Sequence, residues 1–249
     1  MKRTTPTAVF GESKYCPGCG HGIFDRIFTE CLDEFGIVDK AIGMIDIACS
    51  NNVTRYVHSD YIVGPHGRIL ETATGAKRVR PECFVYARGG DGCAYAIGLA
   101  ETYHAAMRNE NITVFIINNN NYGMTGGQMA PTTLVGQVTT SSPMGKDPNQ
   151  FGYPIDVTQM LSGLGIAYLA RGSLASPADI RTTKKYVRKA IQYQLEGKGF
   201  SMVEILSPCP TNWNLTPLKS WERMKNEVAA VYPTGEFIDN GKEGSESGS

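Results

Sequence analysis

The sequence predicts an α/β fold: a mostly parallel sheet with helices on both faces. Short apolar runs alternate with helix-length segments, which is the pattern of strands joined by crossover helices. The runs are rich in Val and Ile and are bounded by Gly, Pro or Asn. The segments that follow them carry the unusual residues, as expected of a sheet that binds ligands beyond the carboxyl ends of its strands.

The first predicted helix spans 22–35 and the first strand 41–48. A second strand, 84–88, runs into Gly89-Gly90-Asp91-Gly92 and a helix over 93–108. In that helix Leu99, Tyr103, His104 and Met107 fall on one face, so His104 is expected to be packed. The strand over 112–118 opens a stretch to residue 153 rich in Gly, Asn, Thr and Pro, and a loop of that length usually carries function. Its later part, 132–153, is expected to cover the active site or meet a partner. A helix over 157–164 and a strand over 166–170 follow. Ser176 and Pro177 form a helix start, and Gly197 and Gly199 are suitable stops, so a helix spans 177–195. The last strand is 200–206. One domain over 1–240 and a flexible tail over 241–249 are expected, with no internal repeat.

The bulk numbers exclude several function classes. The 249 residues include 24 basic and 24 acidic side chains, so a basic footprint for nucleic acid is absent. No apolar run approaches the roughly 18 residues of a membrane span, and residues 1–14 lack the apolar core of a signal peptide. No nucleic acid, no membrane and a cytoplasmic location are therefore expected. Seven cysteines, an odd number, argue against a disulfide framework and for metal or redox chemistry.

Glycines at the end of the 84–88 strand let a ligand approach the backbone, and the following helix start favours anions. Asp91 supplies one hard oxygen. Alone, such a triplet fits a turn as well as a site. The next strand ends in Asn118-Asn119-Asn120-Asn121-Tyr122-Gly123, one helix and one strand later, so both loops leave the same sheet edge. A carboxylate, an amide oxygen and a carbonyl can meet there around a hard cation such as Mg²⁺. With this spacing the sequence resembles thiamine-diphosphate enzymes. The resemblance implies Mg²⁺ held by Asp91, the Asn119 side chain and the Asn121 carbonyl, Gly90 and Gly92 admitting the diphosphate, and Met124 and Thr125 lining it.

Cys16-Pro17-Gly18-Cys19 puts two thiolates on one turn, which suits zinc, an iron–sulfur cluster or a dithiol. Cys49 follows the first strand and Cys209 the last, in loops that can reach the same sheet edge. Cys31 and Cys83 read as core residues, and Cys93 has no assigned role. The order YCPGCGHG, Cys49-Ser50, His66-Gly67-Arg68, GDG, HAAMRN, NNNNYGMTGGQ and CPTNW resembles the β subunits of 2-oxoacid:ferredoxin oxidoreductases, from about Tyr15 to Phe237. That resemblance implies thiamine diphosphate, Mg²⁺ and a [4Fe–4S] cluster on Cys16, Cys19, Cys49 and Cys209, with His66 near thiamine and substrate. It implies oxidation of a 2-oxoacid to an acyl-coenzyme A and CO₂, 2-oxoglutarate before a branched-chain 2-oxoacid, with electrons passing to ferredoxin. The pyrimidine-side carboxylate would come from an α subunit, with γ and ferredoxin-like δ subunits as further partners, so the chain alone is expected to be inactive. His21 is placed at cluster, diphosphate or helix cap, and Arg55 and Arg68 at the substrate carboxylate or in surface ion pairs. The chain departs from family patterns at Ala48, Asn52 and Cys93, the last standing where some members carry an acid. A non-oxidative thiamine enzyme shares the GDG and Asn119 pattern, and a zinc-stabilised module shares the CxxC. Iron content separates the first, bound thiamine diphosphate the second.

Overall fold

The computed structural model describes residues 5–241. The expected tail therefore lies almost wholly outside the described residues. The chain runs α1 (His21–Phe35), β1 (Ala41–Ile45), β2 (Asp60–Val63), α2 (Ile69–Val79), β3 (Phe84–Gly90), α3 (Leu99–Met107), β4 (Thr113–Asn118), α4 (Pro148–Phe151), α5 (Val157–Leu161), β5 (Tyr168–Ser173), α6 (Pro177–Leu195), β6 (Ser201–Leu206), α7 (Pro210–Trp213), α8 (Pro217–Arg223) and β7 (Gly235–Asp239). The seven strands form one sheet in the order β2-β1-β3-β4-β6-β5-β7. Every neighbouring pair is parallel except β5–β7. The expected α/β fold is therefore present, with one antiparallel edge.

Two apolar layers sandwich the sheet. Phe24, Phe28, Leu32, Val187 and Ile191 from α1 and α6 pack with Tyr86 and Phe115 on one face. Ile69, Leu70, Ala105 and Leu161 from α2, α3 and α5 pack with Val85 and Val114 on the other. Successive side chains of a strand point to opposite faces, so central strands buried on both sides read as continuous apolar runs. That accounts for the legibility of β3, β4 and β6.

α1 and α6 begin and end within a residue of the predicted bounds, because their signals are local. Ser176 accepts the Asp179 backbone N–H, Pro177 occupies the first helical position, and Gly36 closes α1 in the left-handed region. The strand expected over 41–48 stops at Ile45, where the chain turns with the Ala48 N–H bonded to the Asp46 carbonyl.

The helix expected over 93–108 is broken: Cys93–Ile97 is a π turn, and α3 begins only after Gly98. A π turn adds a residue and rotates the face that follows. His104 is therefore exposed rather than packed, with Tyr103 and Met107 also outward, while Thr102, Ala105 and Ala106 are buried. Among the described residues, no helix is long and apolar enough to cross a membrane.

Candidate functional site

The parallel strands β1, β3, β4 and β6 deliver their carboxyl ends to one edge. Connectivity diverges between β1 and β3, and a crevice opens there, as doubly wound sheets provide. A narrow cleft lies at this point. Asp46, Cys49 and His66 line it from the β1 side, and Gly90, Asp91, Asn119 and Asn121 from the β3 and β4 side.

Asp91 is buried and accepts a hydrogen bond from Thr132 Oγ1. Burial pushes its carboxyl up to about 7, because a lone charge is poorly solvated there. Asn119 Oδ1 is buried with no hydrogen-bond partner among the described residues. Buried amide oxygens are almost always paired, so this one is available to an absent donor. A buried carboxylate short of a counter-charge and an orphan amide oxygen, both facing one cleft, are the donor chemistry of a hard cation. The residues present therefore fit Mg²⁺.

The asparagine run divides its labour by alternation. Asn118 donates to Glu204, and Asn120, at φ 58°, donates to the Thr132 carbonyl. Both are structural, and their fixing turns Asn119 and Asn121 to the cleft. Asn121 Nδ2 donates to the Asn119 carbonyl at 2.7 Å. At Gly90 a side chain would meet nothing nearer than 3.9 Å, so the approach is open. At Gly92 a Cβ would sit 2.1 Å from the Tyr122 ring, so that glycine makes room for Tyr122. Met124 and Thr125 are exposed, outside the cleft lining, and Thr125 bonds Gln128.

The four cysteines converge beside this cleft. The Cys19 thiol is pushed up to about 12, chiefly by burial and further by the neighbouring Cys209, Cys49 and Cys16. The Cys49 thiol is pushed up to about 11 by burial, with Cys209 and Cys16 adding to it. The Cys209 thiol is also raised, by burial first and by Cys16 besides, so Cys19, Cys49 and Cys209 resist ionising where they stand. A cationic centre among them would relieve that repulsion. Among the described residues, the one trio of His, Cys or acidic donors within 4.8 Å of one another is Asp46, His66 and Cys93. No three of the four sulfurs are that close. Tetrahedral zinc with Zn–S bonds near 2.3 Å sets sulfurs about 3.8 Å apart. The wider spacing suits a larger centre, and the set fits an iron–sulfur cluster.

The cysteine side and the Asp91–Asn119 side of the site touch. A Cβ on Gly123 would lie 3.1 Å from Cys49 Sγ and 3.3 Å from Asn119 Nδ2. His21, buried and lining the cleft, has Nδ1 3.3 Å from Cys19 Sγ. Its pKa is lowered to about 3 by burial, with Arg88 adding to the effect.

α7 braces both sides. Asn212 Nδ2 donates to the Gly123 carbonyl at 2.9 Å, and Trp213 Nε1 donates to the Asn119 carbonyl at 3.2 Å. Asn212 and Trp213 received no role from the sequence, though the CPTNW motif carrying them was visible. Arg68 pairs with Glu71 and Glu101, and Arg55 is exposed. Cys31 and Cys83 are buried in the core. His66 lines the cleft and is bonded to Asp46 at 2.8 Å. Sequence reading missed Asp46 by placing it inside a strand. The signal was there: a lone carboxylate in an apolar run needs a partner.

Comparison with known proteins agrees with this geometry. Residues 41–205 match the family described as thiamine pyrophosphate enzyme, C-terminal TPP binding domain. The ketoisovalerate oxidoreductase subunit VorA of Methanothermobacter thermautotrophicus is 39% identical over 241 residues, 96% of this chain and 50% of that subunit. This chain thus spans about half the length of that relative. The 2-oxoglutarate synthase subunit KorB of Archaeoglobus fulgidus is 36% identical over 211 residues, 85% of this chain and 75% of that subunit. Among solved structures, the 2-oxoglutarate:ferredoxin oxidoreductase of Magnetococcus marinus superposes with a TM-score of 0.77 at 26% identity, covering 96% of this chain and 86% of that one. Fold, cleft chemistry and relatives agree: the chain belongs to the family of thiamine-diphosphate-binding 2-oxoacid:ferredoxin oxidoreductase subunits.

Proposed function

We propose that this chain is the thiamine-diphosphate-bearing β subunit of a complex that oxidatively decarboxylates a 2-oxoacid to an acyl-coenzyme A and CO₂, reducing ferredoxin. The observation that carries this reading is the adjacency of two donor sets: the Asp91–Asn119 pair and the Cys16, Cys19, Cys49 and Cys209 quartet adjoin where Gly123 lies between Cys49 Sγ and the Asn119 side chain and Cys209 Sγ meets Asn121 Oδ1. A non-oxidative thiamine enzyme has no use for the second set.

When bound, thiamine diphosphate supplies a nucleophilic carbon and an electron sink, and a [4Fe–4S] cluster supplies one-electron steps. Asp91, Asn119 Oδ1 and the Asn121 carbonyl would hold Mg²⁺ and, through it, the diphosphate. Thr132 orients the Asp91 carboxylate, and Trp213 holds the Asn119 backbone. The four cysteines would hold the cluster. Asn212, 3.5 Å from Cys209 Sγ and 3.3 Å from Asn121 Oδ1, keeps cluster loop and Mg²⁺ loop in register. His66, fixed by Asp46, lines the same cleft and would meet the substrate there.

The carboxylate that promotes the active pyrimidine tautomer would come from an α subunit, with γ and ferredoxin-like δ subunits completing the complex in the cytoplasm. The substrate is a 2-oxoacid, with 2-oxoglutarate favoured and a branched-chain 2-oxoacid next. The relatives' names divide between those two classes.

The test is viologen dye reduction by the complex, purified anaerobically through this chain, with a panel of 2-oxoacids with and without coenzyme A. Coenzyme-A-dependent reduction is expected, fastest with 2-oxoglutarate. No reduction by an iron- and thiamine-replete complex with any 2-oxoacid would overturn the reading.

A further inference from the structure

We propose that Asp46 is the positioning residue for His66, with Cys93 beside both, and that this arrangement presents His66 Nε2 to the substrate. The inference rests on the reaction proposed above and adds to it two residues that no motif marked.

Asp46 leaves β1 at the cleft, and its carboxylate is 0% exposed. It does not stand alone there. His66 Nδ1 lies 2.8 Å from Oδ1 and 3.1 Å from Oδ2, and the Gly67 N–H donates to Oδ1 at 3.4 Å. The Cys93 thiol is within hydrogen-bonding reach of the same carboxylate, and the three donor atoms of Asp46, His66 and Cys93 all lie within 4.8 Å of one another. A buried acid surrounded by three donors is a fixed acceptor. Nδ1 therefore carries its hydrogen toward Asp46. The tautomer is set, and Nε2 is the nitrogen left for the cleft, which the ring lines together with Asp91 and Asn119.

The backbone beneath the ring is equally constrained. Gly67 sits at φ +81°, and a Cβ there would be 2.4 Å from Ile97 Cγ2 and 2.9 Å from the Gly98 nitrogen. The loop thus seats on the π turn that begins at Cys93. Extra residues of this kind inside helices often mark functional sites. One local irregularity therefore fixes Cys93 beneath Asp46 and the His66 loop above it. A carboxylate-oriented imidazole aimed at a reaction cleft is a recurrent device for holding a proton at a chosen atom.

The test is steady-state turnover of the anaerobically purified complex, with thiamine diphosphate affinity of each variant measured in parallel. Asp46→Ala is expected to lower kcat about 100-fold, the scale of a misplaced reacting group, with little change in KM. Asp46→Asn keeps the shape, and an amide oxygen in the place of Oδ1 still accepts from His66 Nδ1 and the Gly67 N–H, so it should retain more turnover than Asp46→Ala. Asp46→Ala combined with His66→Ala should be no slower than His66→Ala alone, since the pair acts as a unit. Cys93→Asp on the Asp46→Ala background returns a carboxylate within reach of His66 and should recover turnover. Thiamine diphosphate affinity should be unchanged throughout. Full activity in Asp46→Ala, additive losses in the double variant, or a parallel loss of thiamine diphosphate affinity would overturn the positioning role. A wild-type complex that reduces no dye would overturn the underlying reaction instead.

Discussion

Asp91 is stabilising only when something positive stands beside it. Its carboxyl titrates near 7 in the fold, raised by burial, against about 3.9 in an unfolded chain. Between those values the folded state takes up a proton that the unfolded state lacks. Stability of the ligand-free chain therefore falls as pH rises from about 4 to about 7, then levels off. Asp91→Asn removes the charge and keeps an acceptor for Thr132. The expected result is a ligand-free chain that melts higher than wild type at pH 8, matches it near pH 4, and no longer binds thiamine diphosphate with Mg²⁺. Thermal unfolding at both pH values, after chelation, checks the first part, and equilibrium binding checks the second. Equal melting at pH 8 would show that Asp91 is not held against its charge. At this scale the sequence marked Asp91, Asn119 and the four cysteines, because loops at strand ends concentrate chemistry. It left Asp46 unmarked because a strand and a strand-ending turn look alike until the bonded partner, twenty positions away, is known.

At the element scale, α1 is joined to the sheet by charge as well as by its apolar face. Asp25 of α1 and Arg88 of β3 form an ion pair with both side chains 1% exposed. Tyr56 donates to Asp25, and Arg88 Nη2 donates to Tyr15 Oη at 3.1 Å. Tyr15 precedes Cys16, and its hydroxyl is 3.4 Å from the Ser50 carbonyl, next to Cys49. Removing one partner of a buried pair strands the other. Asp25→Leu should therefore destabilise the chain by about 3–5 kcal/mol, read as a lower urea midpoint at unchanged slope. A loss under about 1 kcal/mol would mean that water reaches Arg88. Neither Asp25 nor Arg88 is legible as a pair, since 63 positions of sequence separate them. The same limit hid β2, β7 and α2. β2 and β7 are short edge strands with mostly exposed or half-exposed residues, so no apolar run announces them. α2 carries Gly75 and two threonines, Thr72 and Thr74, that weaken its helical pattern. The central strands were legible because burial on both faces writes itself into composition. α3 was misread because a π turn leaves no compositional trace yet rotates the face that follows.

For the whole molecule, the segment over 132–153 has a double character. Its base is tied to the site: Thr132 bonds Asp91, and Thr133 and Gln137 both donate to the Asn120 carbonyl. Its outer part presents Val138, Met144 and Tyr153 at 63%, 96% and 79% exposure. Singly exposed apolar residues are ordinary, but several on one loop that braces a reaction site suggest an interface. On the proposed reading, the partner that covers this segment is the α subunit. Coupling then follows: whatever orders the loop also orders the Asp91 and Asn120 bonds beneath it, so partner binding and thiamine diphosphate binding should strengthen one another equally. Val138→Asp combined with Met144→Asp places two charges on the outer part and touches none of the base contacts. The expected outcome is weaker association with the α subunit in sedimentation or titration, and unchanged thiamine diphosphate affinity for the chain alone. In the complex at limiting subunit concentration, that affinity falls to the value of the free chain. If association is unaffected while affinity drops in the free chain, the segment is a lid over the cofactor and not a docking surface.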